Sequence, residues 1–139
     1  MVRRLRITFV DYGAVLHQDS DGYSFSFSKK SIVPVEKVVR YFTSKGYTQE
    51  RELYGMIMLI YDKEFHVEAV IIPPDEECSN IEITMTVYPD FNNKIHLRKI
   101  ISLTRGLMKT FRLRAAIAGM PTFFPIQRLE KKIMNWNNQ

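Results

Sequence analysis

Ile81-Glu-Ile-Thr-Met-Thr-Val-Tyr88, then Pro-Asp-Phe-Asn-Asn93, then Lys94-Ile-His-Leu-Arg-Lys-Ile-Ile-Ser-Leu-Thr-Arg-Gly-Leu-Met-Lys-Thr-Phe111: along this one stretch the hydrophobic period changes. In the first eight residues Ile81, Ile83, Met85 and Val87 alternate with other residues, the period of a strand with one buried face. Asn92 or Asn93 can then cap a helix. Beyond them Leu97, Ile100, Leu107, Met108 and Phe111 return at the spacing of a single helix face. Strand, turn, cap and amphipathic helix in direct succession mark an α+β chain. The helical pattern is read from about 94 to about 118, with Gly106 as a candidate kink and Gly119 and Pro121 as its stop.

Working back from that stretch, residues 65–72 read as a strand that Pro73-Pro74 and the acidic loop Asp75-Glu76-Glu77 end. Asp62-Lys63-Glu64 turns the chain into it from residues 54–61, which are apolar on both sides and predict a central strand. Earlier, Ser31 opens a helix that tolerates Pro34 in its first turn. Val35, Val38, Val39 and Phe42 recur along it, and Gly46 terminates it. Leu5, Ile7 and Phe9 alternate with Arg4, Arg6 and Thr8, Gly13 marks a break or bulge, and Asp19-Ser20-Asp21-Gly22 is a turn signal. Tyr23 to Ser28 alternates aromatic with serine, so residues 4–28 predict a hairpin. After the long helix, Pro125 opens a short one with Ile126, Leu129, Ile133 and Trp136 as its apolar stripe.

The predicted order is β-β-α-β-β-β-α-α: one antiparallel sheet of about five strands with helices packed mainly on one face. The chain, 139 residues with 45% hydrophobic content and no repeat, low-complexity tract or linker, predicts a single domain over 1–139. This length buries about two-thirds of the unfolded surface without a metal or disulfide staple. Cys78 is the only cysteine, which excludes a disulfide scaffold. The longest apolar run, Tyr54 to Tyr61, is far short of the roughly twenty residues of a membrane span. The basic stretch Met1 to Val10 reads as a strand and not as a signal peptide. These features predict an intracellular, cytoplasmic location and no cofactor. The order of elements resembles the profilin-like folds, including the longin domains of vesicle trafficking, over most of the chain. The resemblance carries no motif, so no function or residue is transferred.

Charge is the most unequal property of the sequence. Residues 1–90 hold ten Lys/Arg against fourteen Asp/Glu, net −4, whereas residues 91–139 hold ten Lys/Arg against Glu130 alone, net +9. The basic helical end therefore starts near residue 92. On an ideal helix Lys94, Arg98, Arg105, Lys109 and Arg112 share a sector about 60° wide, opposite the apolar face. No carboxylate within that helix relieves their repulsion. The final helix adds Arg128, Lys131 and Lys132. Such a stripe suits a polyanion. It also suits a solvated helix face, and Lys109, Arg112 and Arg114 suit the negative end of a helix dipole. Tyr23, Phe25 and Phe27 could stack bases if their strand face were open. No helix-turn-helix, RNP, KH or zinc-finger pattern is present.

Other chemistry is sparse. Glu64, His66 and Glu68 alternate along one strand, with Glu82, Thr84 and Thr86 on its neighbour. Two carboxylates flanking an imidazole could hold a metal or act as acid and base. The same alternation is what a polar outer sheet face requires, paired with Arg4 and Arg6. His17 and His96 lack ligand spacing, and Cys78 sits in an acidic setting that blunts a thiolate. No Walker loop, GxGxxG, HExxH or GxSxG occurs. Phe123 and Phe124, between two prolines, either pack on the core or anchor a partner, and the same choice applies to Tyr54, Met56 and Met58. The sequence thus predicts a non-catalytic binding protein, with no catalytic or metal residue, that contacts nucleic acid (DNA or RNA) or another polyanion through Lys94, Arg98, Arg105, Lys109, Arg112, Arg128, Lys131 and Lys132. The alternative is a protein–protein interaction domain, in a homodimer or with another partner, that uses the sheet edge, such as Tyr23–Ser28, or the Phe123-Phe124 loop. A third reading is an enzyme with a site around His66 and Glu68.

Overall fold

The alternating N-terminal segment forms strand β1 (Leu5–Asp11), and its place in the sheet organises the whole fold. In this computed structural model, which describes residues 3–19, 22–27, 32–74, 80–120 and 122–138, β1 has a partner on both sides. Ile7 pairs with Met85 of β7 (Glu82–Tyr88) and with Ile117 of β8 (Leu113–Ile117), both antiparallel. The remaining strands are β2 (Ala14–Asp19), β3 (Gly22–Phe27), β4 (Thr48–Leu53), β5 (Met56–Asp62), β6 (His66–Ile72) and β9 (Phe123–Phe124). Seven of them form one sheet in the order β4-β5-β6-β7-β1-β8-β9, while β2 and β3 form a separate hairpin. The helices are α1 (Val35–Ser44), α2 (Lys94–Thr110) and α3 (Ile126–Met134), followed by a 3₁₀ turn at Trp136–Asn138.

One face of the sheet is apolar because each strand contributes alternate residues: Leu5, Ile7 and Phe9 from β1, Val67, Ala69 and Ile71 from β6, and Ile83, Met85 and Val87 from β7. The three α-helices among the described residues bury their stripes in that same cluster, through Val38 and Phe42, then Leu97, Ile100 and Leu107, then Leu129 and Ile133. The expected one-sided α+β architecture is therefore present, with a larger sheet than five strands.

Several boundaries differ from the sequence reading. The long helix stops at Thr110 instead of near 118, and Leu113, Ala115 and Ile117 alternate as a strand against β1. Gly106 is a contact site and not a kink. A β-carbon there would lie 1.9 Å from the Tyr41 hydroxyl, which donates to the Leu103 carbonyl at 3.2 Å. The missing side chain lets α1 pack onto α2. Residues 48–53, polar or charged except for Leu53, form an edge strand that periodicity did not mark; charged residues are common on such edges. A two-residue turn with positive φ at both Tyr54 (53°) and Gly55 (78°) joins it to β5. Residues 54–61 are thus a turn plus a strand next to the edge, and β7 is the central strand. The predicted hairpin over 4–28 is split: β1 enters the sheet, and β2–β3 form the hairpin.

The first helix starts at Val35 with Pro34 as its N-cap, later than the Ser31 opening expected, and Gly119 lies beyond β8 and does not end α2, but three other local signals operate as read. Gly46, at φ 95°, ends α1, with its N–H on the Thr43 carbonyl and the Tyr47 N–H on the Phe42 carbonyl, a Schellman pattern. Asn93 caps α2 and Pro125 precedes α3. Ser20, Asp21, Ser28, Ser31, the acidic loop Asp75-Glu76-Glu77, Cys78 and Pro121 lie outside the described residues, as do the side chains of Tyr23 and Phe27.

Candidate polyanion-binding surface

The Asn93 side chain accepts hydrogen bonds from the Ile95 and His96 backbone N–H groups at 3.0 and 3.4 Å, which fixes the rotation of α2 at its start. With Leu97, Ile100, Leu107 and Met108 turned into the core, Lys94, Arg98, Arg105 and Lys109 are left exposed. α3 packs beside α2, and between them lies a shallow groove of about 560 Å³ lined by Arg98, Arg105, Gln127, Arg128, Glu130 and Lys131 among others. The cations of α2 and those of the final helix therefore share one surface, which their separation in sequence does not disclose.

The partners of these cations differ. Arg105 donates through Nε to Glu130 Oε1 at 2.8 Å, and its Nη2 reaches the same oxygen. The repulsion along the stripe is thus relieved at one position, by a carboxylate from the neighbouring helix. Lys94 donates to the Met134 carbonyl at 3.3 Å, and the Arg128 guanidinium lies 5.3 Å from the Phe124 ring centre. Neither contact neutralises charge. Lys132 is half-buried. Arg98, Lys109, Arg112 and Lys131 are exposed, and their side chains make no hydrogen bond or ion pair among the described residues. Lys99 lies off the stripe and pairs with Glu64.

Arg112 is not on the helix at all. Phe111 is the C-cap, and Arg112 sits at φ 53°, a left-handed conformation that costs a residue other than glycine about 1 kcal/mol. The helix-dipole account of Arg112 and Arg114 lapses with the shorter helix, since Lys109 is the one basic residue in its last turn. Arg112 instead lines a larger cavity of about 1030 Å³. Its walls are the Tyr12–Gly13 turn, the C-terminal end of α2, the start of β8, β9 and the first turn of α3. Lys109, Arg112 and Arg114 bring positive charge to it, and Tyr12, Phe111 and Phe123 bring aromatic surface. The buried Asn80 donates to Asp11 Oδ2 at 3.2 Å within the same wall. Gln127 lines both groove and cavity, so the two adjoin. Asp11, Tyr12, Asn80 and Arg114 were not singled out as site residues from the sequence. The one available hint was an aromatic placed directly before Gly13 in a turn.

The two phenylalanines part company because they are consecutive on a strand. Phe124 faces the core and is 3% exposed, whereas Phe123 is half-buried on the outer side of the sheet. There the Arg114 guanidinium lies 3.9 Å from its centre, and Phe25 of the hairpin stacks on it at 6.0 Å. Arg114 also donates to the Ala14 carbonyl at 3.0 Å, so the hairpin docks over the β8–β9 end of the outer face. Phe25 is occupied in that packing and is not part of an open base platform.

On the remainder of the outer face, Glu68 opposes Thr86, Val70 opposes Thr84 and Ile72 opposes Glu82, as the alternation predicts. Arg6 Nε donates to Thr86 Oγ1 at 3.3 Å. Glu64 does not join them. It lies in the turn before β6, takes Lys99 and the Tyr61 hydroxyl as donors, and is thereby held down at about 2, while burial and Glu64 push Tyr61 up to about 12. His66 Nε2 is 3.3 Å from Glu68 Oε1 and Nδ1 is 3.7 Å from Asp62 Oδ1, on a half-exposed surface. No group of three or more His, Cys, Asp or Glu side chains is placed to hold a metal ion among the described residues. No described helix is long and apolar enough to cross a membrane. Comparison with known proteins adds no relative: no family model matches this chain, no curated protein matches it, and no solved structure matches it.

Proposed function

We propose that this chain is a non-catalytic binding protein whose α2–α3 surface takes the phosphate backbone of a nucleic acid. The observation that carries the reading is the convergence of cations from two helices on one groove that holds a single carboxylate, Glu130. On the surface formed by that groove, the adjoining cavity and the start of α2, six cations, Lys94, Arg98, Lys109, Arg112, Arg128 and Lys131, keep their charge uncompensated. If each meets a phosphate, the salt slope is about −4 on a single strand and about −5 on a duplex. Going from about 50 to about 200 mM salt then weakens single-strand binding roughly 300-fold. Contacts of this kind position a strand but do not read its bases.

The test is a fluorescence-anisotropy titration against DNA and RNA at low and moderate salt. An Arg98→Glu/Lys109→Glu/Lys131→Glu variant runs beside the native chain. These three side chains support nothing else among the described residues, so the variant should fold. Salt-sensitive binding that the variant loses supports the reading; no binding at low salt overturns it.

One observation favours a second reading, a protein–protein interaction domain. Met58, Ile60, Val70 and Ile72 are half-exposed neighbours on the outer face, opposite the helices. Apolar burial is not screened by ions. Association through that face would survive high salt and would be visible by sedimentation as a second copy or a partner.

A further inference from the structure

We infer that the cavity beside the groove receives one unpaired nucleotide, so that the protein binds single strands in preference to duplex. The inference rests on the proposed nucleic-acid reading and names which form of nucleic acid the surface takes. Three properties of the cavity point the same way. Its volume, about 1030 Å³, is ample for a ligand of nucleotide size. It adjoins the basic groove, since Gln127 lines both, so a strand lying along Arg98 and Arg105 passes beside it.

The third property is the division of its chemistry. Lys109 and Arg112 offer two cations for a phosphate. Tyr12, 68% exposed, offers an aromatic face on which any base can stack, beside the half-buried Phe111 that packs edge-to-face with Tyr41. Asp11, bonded by the buried Asn80, adds a carboxylate that accepts from an amino group. An inorganic anion would leave the aromatics unused and would be repelled by Asp11. An apolar molecule would leave the cations and the carboxylate unmet. A nucleotide whose base bears an exocyclic amine engages all three. Bases inside a duplex are paired and stacked, and extruding one costs a few kcal/mol. Thymine presents its O4 carbonyl oxygen where cytosine presents its amine, so Asp11 opposes the one and accepts from the other.

The expected preference runs against simple electrostatics, because each phosphate contact releases more counterion from a duplex than from a single strand. Anisotropy is measured on oligo-dC and oligo-dT strands and a mixed-sequence duplex, each about ten nucleotides long. The native chain, Tyr12→Ala and Asp11→Asn are compared, with circular dichroism checking each fold. The native chain should bind oligo-dC about tenfold tighter than either the duplex or oligo-dT. Tyr12→Ala should weaken the single strands about tenfold and leave the duplex unchanged. Asp11→Asn should abolish the difference between oligo-dC and oligo-dT. Should Asp11→Asn fail to fold, Tyr12→Ala decides, because its side chain is exposed. Equal binding of single strand and duplex, with Tyr12→Ala neutral, overturns the cavity inference and leaves the basic surface as a general polyanion site. No binding to any probe overturns both.

Discussion

Removing the one acid of the basic half should make the protein a better binder. In Glu130→Gln the Arg105 guanidinium loses the carboxylate that now holds both Nε and Nη2, and it becomes a seventh uncompensated cation of the basic surface. On a single strand each added phosphate contact steepens the salt slope by about 0.7. At about 0.1 M salt, one such contact multiplies affinity about fivefold. The cost in stability is small. The Arg105 and Glu130 side chains are 45% and 29% exposed, and ion pairs at such positions contribute about 0–1 kcal/mol. Gln keeps the shape of the residue, so the packing of α3 on α2 should persist. The assay is anisotropy of a labelled strand across a series of salt concentrations, plotted as log affinity against log salt. A fivefold gain with the steeper slope is expected. Unchanged affinity and slope would mean that Arg105 does not face the nucleic acid, and that the groove between α2 and α3 is only a solvated face.

Gly106→Ala gains about 1 kcal/mol of helix propensity. It also displaces the Tyr41 ring, which forfeits a hydrogen bond of about 1 kcal/mol and overpacks the α1–α2 contact by about 1–3 kcal/mol. Urea unfolding should show a net loss of about 1–3 kcal/mol, partly recovered by Tyr41→Phe in the same background; a neutral Gly106→Ala would contradict the close approach. Arg112→Gly relieves the left-handed backbone and should raise stability by up to about 1 kcal/mol while weakening single-strand binding about fivefold, two effects of opposite sign read on one protein. The depressed carboxyl of Glu64 contributes stability above the unfolded carboxylate value of about 4.3 and loses it as pH falls toward 2. Glu64→Gln should therefore be less stable than the native chain at neutral pH, with the difference closing through that acid window in pH-dependent thermal melts.

Where one interaction dominated locally, the sequence was sufficient. Ile81 to Val87 alternate without a fault, Asn93 precedes the first turn of α2, and Gly46 occupies a left-handed position that few other residues tolerate. The end of α2 was hidden because its apolar spacing runs through Phe111 and the left-handed residue that ends it is Arg112, where a glycine would have announced the stop. Leu113 to Ile117 is too short for its period to decide between helix and strand, and the open side of β1 decides it. The β4 edge was hidden because an edge strand can be polar throughout, and because its turn places Tyr54 where Asn or Asp usually signals a hairpin. The basic stripe was legible as charge, but its neutralising partner was not, since Glu130 meets Arg105 only through helix packing. The cavity draws on segments scattered from Asp11 to Gln127, and no spacing rule spans them.

The position of β1 also sets an order of events during synthesis. β4 to β7 form a meander of neighbours in sequence and can pair as they leave the ribosome. β1 emerges first, yet Thr8 must wait for Thr84 and then for Ala116 before both its edges are satisfied. Until Tyr88 has been made, Leu5, Ile7 and Phe9 are an unhoused apolar segment, because the β7 edge that will receive them does not yet exist. Chain growth at about 5–20 residues per second makes that wait several seconds long. A chain released before residue 117 would hold a meander, one long helix and no partner for the outer edge of its first strand. Nascent chains truncated there should be the species most dependent on chaperones.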